Sequence, residues 1–281
     1  MLKQILLSAV LCTWAAAQPG NYAAARQAYQ STQYEQAIQL LKDKKDTDSL
    51  LLMGQSWFML GEFKKAGEVF EKVVSLEPND SMAHLWLGRA YGRRAETSSP
   101  FLAPRYASKA RQQFEAAVQL DPRNILAMND LFEYYMEAPG FLGGGKDKAQ
   151  ALAQRIAKLD PAEGHYAQAR LDEDHKQFGA AEEQLRRAVE AAPSQVGRVL
   201  DLAKFLAKHG RHQESEAAFQ RAAEIAPNNP KVLFERAATY IETKRNIDEA
   251  KVLLKRYLQC SLTPDDPSRD EALKLLRQAG S

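Results

Sequence analysis

The segment that most resembles a chemical site is Gly140-Phe-Leu-Gly-Gly-Gly145-Lys146. It reproduces the front of a phosphate-binding loop, in which backbone N–H groups and a lysine cradle phosphate oxygens. Asp147 stands where that loop needs a Ser or Thr hydroxyl for magnesium, and Asp130 to Glu137 reads as a helix where a strand is required. The sequence therefore points away from nucleotide hydrolysis and leaves, as a minor alternative, a small-ligand or nucleotide site built from N–H groups at a helix start. The five histidines form no metal-ligand pattern; His209 and His212 are split by Gly210, and His84 falls at a core position. Asp172-Glu173-Asp174 and Glu182-Glu183 read as solvated helix faces, with no pocket to drive their pKa values apart. No Gly-x-Ser-x-Gly elbow is present. No catalytic residue, metal ligand or cofactor is assigned, and the chain is read as a non-enzyme.

The bulk numbers agree. The chain has 281 residues, 38 basic against 36 acidic, and 45% hydrophobic residues, so it is globular and has no basic excess for nucleic acid. Two cysteines exclude a disulfide scaffold and a Cys-rich zinc site. Lys3, the apolar run Ile5 to Leu11, and Ala15-Ala16-Ala17 before Gln18-Pro19 have the layout of a secretory signal peptide over residues 1–17. Cleavage there leaves Cys260 as the one cysteine. No later stretch is long and apolar enough to span a bilayer.

The elements that would carry any site repeat along the chain. Leu76-Glu77-Pro78, Leu120-Asp121-Pro122, Leu159-Asp160-Pro161, Ala191-Ala192-Pro193 and Ile225-Ala226-Pro227 share one form, with prolines 44, 39, 32 and 34 residues apart. Ahead of each lies an amphipathic helix, as in Ala66/Phe70/Val73, Ala110/Phe114/Ala117 and Ser215/Phe219/Ala222. Ahead of that lies a second helix, marked by Met53-Gly54 with Trp57 and by Leu87-Gly88 with Tyr91. Gly61 and Gly210 make the turn within a unit, and Pro closes it.

This pattern resembles the tetratricopeptide repeat, a helix–turn–helix unit of 34 residues. The resemblance runs over nearly all of residues 18–281 and is best at 47–80. It implies an all-α, right-handed α-solenoid of about seven repeats: 18–46, 47–80, 81–124, 125–163, 164–195, 196–229 and 230–262, with a capping helix at 267–279. It further implies a concave groove lined by the first helices. Carried over position by position, the lining is Gln55, Phe58, Arg89, Arg93, Asn129, Glu133, Arg170, Lys204 and Lys208, with Leu85, Met136, Leu200 and Ile241 at apolar positions of the same set. That alternation suits a peptide or helix laid along the groove. It departs from the two-Lys, two-Asn clamp with which some family members hold a chaperone's C-terminal carboxylate.

Two units are too long, and both excesses fall at the turn between their helices. The extra segments are Glu96–Arg105 and Ala138–Lys146. Each carries a Phe-Leu pair beside Pro, Phe101-Leu102 and Phe141-Leu142, with Arg93, Arg94, Arg105 and Lys146 nearby. Insertions at one turn map to one edge of a solenoid, so a shared apolar patch with a basic rim, including Lys146, is a second candidate partner site. The opposing reading is that each pair folds back on its own helices. Together the sequence and the resemblance imply an exported interaction scaffold for a protein or peptide, periplasmic or secreted from a bacterium. The alternative is an envelope assembly factor tethered by an uncleaved N-terminal segment.

Overall fold

The computed structural model describes residues 20–280, so the expected signal peptide lies outside the described residues. Fifteen α-helices and one 3-10 turn make up this part of the chain. Seven helices open a helix pair: α1 (Asn21–Gln30), α3 (Thr47–Met59), α5 (Ser81–Thr97), α7 (Ile125–Glu137), α9 (Pro161–Asp174), α11 (Val196–Lys208) and α13 (Pro230–Glu242). Each is followed by its partner: α2 (Tyr34–Leu41), α4 (Phe63–Leu76), α6 (Ala103–Leu120), α8 (Lys146–Leu159), α10 (Phe178–Ala191), α12 (His212–Ile225) and α14 (Ile247–Tyr257). Helix α15 (Arg269–Gly280) packs on α13 and α14. Every helix packs on its sequence neighbours, and successive pairs stack in chain order as an α-solenoid. The core is accordingly a row of clusters strung along the stack, from Ala25 and Leu41 at one end to Tyr257 and Ala272 at the other.

Local chemistry starts and stops these helices. The first helix of five pairs is capped by a short polar side chain, Asp46, Asp80, Asn124, Asp160 or Asn229, that accepts a backbone N–H two or three residues on. Each such cap is worth about 1 kcal/mol. At the other end, five pairs turn through one device. A residue in the left-handed region (Thr32, Gly61, Lys176, Gly210 or Lys244) is followed by a residue whose N–H reaches back five positions. The bonds are Gln33 to Ala28, Glu62 to Trp57, Gln177 to Asp172, Arg211 to Leu206 and Arg245 to Tyr240, at 2.8 to 3.0 Å. The two glycines mark this turn in the sequence; Thr32, Lys176 and Lys244 make the same turn without that signal.

Close approach within a pair rests on glycine. A Cβ on Gly54 would lie 2.5 Å from the buried Phe70 ring, and one on Gly88 would lie 2.6 Å from Phe114. His84, 9% exposed, ties its pair together: Nδ1 meets Gln113 at 2.6 Å and Nε2 meets the Pro78 carbonyl at 3.0 Å.

The prolines mislead slightly about register. Measured from N-cap to N-cap, the units from Asp46 to Asn229 run 34, 44, 36, 35 and 34 residues. Pro161 is the first residue of α9, and Asp160 alone joins α8 to α9, so this Pro opens a helix instead of closing one. The long loop after α7 is thus partly offset by a shortened turn after α8. The insertion near residue 100 is also mostly helix. Helices α5 and α6 have 17 and 18 residues, against 13 or 14 in the units beside them, and the loop itself is only Ser98–Leu102.

Candidate functional site

The expected groove residues stand on consecutive first helices, and most of them meet across helix boundaries. Arg89 of α5 pairs with Asp130 of α7 and lies 4.8 Å over the Trp86 ring. Asn129 of α7 donates to Glu163 of α9 at 2.9 Å, and Glu133 accepts from Arg170 of α9 at 2.7 Å. Glu163 continues to Arg198 of α11 at 3.4 Å, and Glu173 pairs with Lys208 of α11. Lys204 of α11 reaches Asp201 at 3.4 Å and Glu235 of α13 at 3.3 Å. Arg198 also reaches Asp201 at 3.4 Å, so the contacts run as a continuous polar ribbon from Asn129 of α7 to Glu235 of α13, with the Arg89–Asp130 pair as a separate link from α5 to α7.

The other end of this face is aromatic. Phe58 of α3 makes edge contacts with Phe63 at 5.2 Å and with Trp86 at 5.4 Å. Arg93 sits 5.1 Å over Phe63 and pairs with Glu96. Gln55 is half-buried beside this group on α3. The surface therefore changes character along the stack, aromatic on α3, mixed on α5 where Trp86 stands with Arg89 and Arg93, and charged from α7 onward. Tyr166, Arg170, Glu173, Lys204, Lys208 and Glu242 line one shallow depression in the charged part. Of the apolar positions in the expected lining, Leu85, Met136, Leu200 and Ile241 are at most 8% exposed and belong to the core.

Electrostatics follow burial. Glu163 is 8% exposed, and burial raises its pKa above the ordinary carboxylate value despite Arg198 and Asn129. Burial raises Glu133 likewise, against the pull of Arg170. For Lys204 burial works downward, but Asp201 and Glu235 outweigh it and hold the ammonium above its ordinary value. Arg198, with 12% of its side chain exposed, stacks 4.2 Å over Tyr166. Two of its guanidinium nitrogens have no hydrogen-bond partner.

Sequence reasoning missed the acidic half of the ribbon: Asp130, Glu163, Asp201 and Glu235, together with Arg198. A signal existed. Arg89 and Lys204 are each the ninth residue of their helix, and the carboxylates they reach, Asp130 and Glu235, are each the sixth residue of the next first helix. Counting from the caps exposes that column. A second correction concerns Asp172, expected on a solvated face. It is 7% exposed and accepts from Gln168 at 2.7 Å.

The two inserted loops differ from the groove. Phe101 is 93% exposed, Phe141 83% and Leu102 47%, while Leu142 is half-buried. The phenylalanines do not fold back on their helices. The 3-10 turn Gly140–Leu142 packs on α6, and Gly143 sits against Arg111 of that helix. The expected basic rim is largely engaged. Arg93 pairs with Glu96, Arg94 donates to the Tyr106 hydroxyl, and Lys146 donates to the Met136 carbonyl at 2.9 Å and to Asp174 at 2.6 Å.

The glycine loop makes no phosphate cradle. The N–H groups of Gly143, Gly144 and Gly145 donate to the carbonyls of Gly140, Pro139 and Tyr135. Lys146 is turned onto its own scaffold, so neither the glycine amides nor the ammonium is presented to an anion. Three of the loop's four glycines serve its backbone: Gly143 and Gly145 have positive φ, and a Cβ on Gly144 would lie 1.8 Å from the Ala138 carbonyl oxygen.

Comparison with known proteins places this geometry. Family models of the tetratricopeptide repeat match residues 48–80 and 166–230. No curated protein matches the sequence at a significant level. Among solved structures, a tetratricopeptide repeat protein from Parabacteroides merdae aligns over 93% of this chain and 98% of its own, with a TM-score of 0.60 at 11% identity. A tetratricopeptide protein from Thermus thermophilus aligns over 66% of this chain and 97% of its own, with a TM-score of 0.55 at 21% identity. At these identities the likeness is one of fold.

Proposed function

Since the chain is a tetratricopeptide-repeat protein, a fold that supports protein–protein interaction, we propose that it is an exported scaffold that holds a protein or peptide along the face of its first helices. The polar ribbon from Asn129 to Glu235, followed toward the other end of the stack by the Arg89–Asp130 pair and the Phe58–Trp86 group, is the observation that carries this reading. A surface that is apolar at one end and finely charged at the other favours an amphipathic segment bound in one direction. The aromatic end supplies desolvated anchors, and the charged end sets register. The ribbon's cations already have carboxylate partners, so an incoming segment exchanges ion pairs instead of neutralising bare charge. That arrangement gives selectivity more than raw affinity. The periplasm or the exterior of a bacterium is the proposed location, on the signal-peptide layout of residues 1–17.

The test is crosslinking in living cells with the tagged full chain, followed by identification of what is captured. The comparison is a variant carrying Arg93→Glu and Lys208→Glu, two exposed positions on this face. One dominant partner, lost in the variant, is the expected result. Equal capture by both forms would remove the partner from this face. N-terminal sequencing of the same material checks export: a mature chain that begins at Gln18 is expected, and an intact Met1 would overturn cleavage.

A further inference from the structure

We propose that the Ser98–Leu102 loop, with Phe101 at its tip and Phe141 of the next unit as a second anchor, is a membrane-contact site that seats in the headgroup region of an anionic lipid surface. The proposal does not depend on which face holds a protein partner.

The first argument is shape. Helices α5 and α6 are each about one turn longer than their neighbours, which carries their joined ends about 6 Å beyond the corresponding ends of α3 and α7. Phe101 is 93% exposed and stands on a projection. Protein hot spots sit in pockets ringed by other contacts, and this side chain has neither pocket nor ring around it. A bilayer interface needs no complementary socket and takes up isolated apolar projections.

The second argument is the backbone. A tip that enters a water-poor layer must satisfy its own polar groups. Here the N–H groups of Ser98, Leu102, Ala103 and Arg105 donate to carbonyls of the same segment, Pro100 and Pro104 carry no N–H, and only those of Ser99 and Phe101 are left for the hydrated headgroup layer to satisfy. The Phe141 loop is built the same way. The N–H groups of Leu142, Gly143, Gly144 and Gly145 are all bonded, the Tyr134 hydroxyl donates to the Leu142 carbonyl at 2.9 Å, and Lys148 donates to that of Gly143 at 2.8 Å. Both loops hold an exposed phenyl ring on a backbone that is already ordered, so little freedom remains to be lost on docking.

The third argument is charge. From Arg93 to Lys109 the sequence has four cations and one carboxylate, Glu96. Glu71 of α4, 4.0 Å from Lys109, is the one other carboxylate paired with any of them among the described residues. Arg105, four residues beyond Phe101, is exposed and has no ion-pair partner among the described residues. A net positive collar around an apolar tip complements an anionic headgroup layer. Among the described residues no helix is long and apolar enough to cross a membrane.

The experiment is sedimentation of the full chain with vesicles of phosphatidylcholine containing about 30% phosphatidylglycerol, and with phosphatidylcholine alone. The expected result is preferential binding to the anionic vesicles, with about tenfold weaker binding for the Phe101→Ser/Phe141→Ser double variant and for Arg105→Glu. Thermal melting of each variant should match the parent, because these side chains are exposed. Comparing full chains cancels any contribution from residues 1–19. Equal sedimentation of parent and double variant overturns the proposal, as does parent binding that is indifferent to lipid charge. Loss of a crosslinked protein from the double variant, with vesicle binding unchanged, would assign the loops to a protein and overturn it also.

Discussion

Gly88 and Gly92 stand one turn apart on α5, and alanine at these two sites should act in opposite directions. In a helix interior, Gly→Ala gains about 1 kcal/mol from propensity alone. Nothing lies within 4 Å of a Cβ at Gly92, so Gly92→Ala should keep that gain. At Gly88 the new methyl would lie 2.6 Å from two carbons of the Phe114 ring. Carbon–carbon contact is comfortable at about 3.5 to 4.0 Å, so the ring would have to retreat by about 1 Å. Phe114 is 6% exposed and packed into the largest core cluster, so the retreat disturbs α6 and α7 as well. Overpacking of this kind costs about 1 to 3 kcal/mol, which cancels the propensity gain and leaves Gly88→Ala destabilised by about 1 kcal/mol. The two variants should therefore differ by about 2 kcal/mol. Urea unfolding followed by circular dichroism measures this, with the midpoints of both variants compared with the parent at unchanged slope. Shrinking the ring, with Phe114→Leu in the Gly88→Ala background, should recover part of the loss as a favourable coupling. If Gly88→Ala stabilises as much as Gly92→Ala, the ring is not seated against the α5 backbone and the account of how each pair closes is wrong.

Thr32 holds a β-branched side chain at φ +58° in the first turn device, so Thr32→Gly should raise stability by about 1 kcal/mol, read from the urea midpoint. Glu163 has its folded pKa raised by burial, so the folded state holds its proton to higher pH than the unfolded chain does. Its contribution to stability therefore falls as pH rises from the ordinary carboxylate value through the raised one, and Glu163→Gln should flatten the stability–pH curve in that window. An unchanged curve would mean that the burial effect is absent. Gly144→Ala pushes a methyl into the Ala138 carbonyl and should cost about 2 kcal/mol. The same variant should weaken vesicle binding as Phe141 loses its pedestal; full stability with intact binding would show the loop to be adaptable.

The helices were legible because their determinants are local. Asp80, Asn124 and Asp160 cap within three residues, the apolar face recurs with the helical period, and Pro cannot sit in a helix interior. The repeat made the stacking legible too, since one unit cannot bury its own apolar face. The boundaries were less secure. Pro161 looks like the other repeat-closing prolines but opens a helix, because the residue before it can cap in either role. The turns at Thr32, Lys176 and Lys244 gave no sign, since the left-handed conformation there is imposed by the helices on either side.

Residue types at the candidate surface could be named from position alone, but their partners could not. Arg89 reads as a free groove cation until the stack brings Asp130 of the next unit, 41 residues away, against it. Lys146 reads as a phosphate ligand until folding turns it onto Met136 and Asp174. Phe101 could have folded inward, and it stands out because α5 and α6 run on for an extra turn and leave no wall beside it. Caps, period and turn residues are short-range and belong to the chain; ion partners, exposure and pKa are long-range and belong to the stack. Helix, repeat and approximate face follow from the first set. Which charges are satisfied, and which apolar side chains remain open to a partner, follow only from the second.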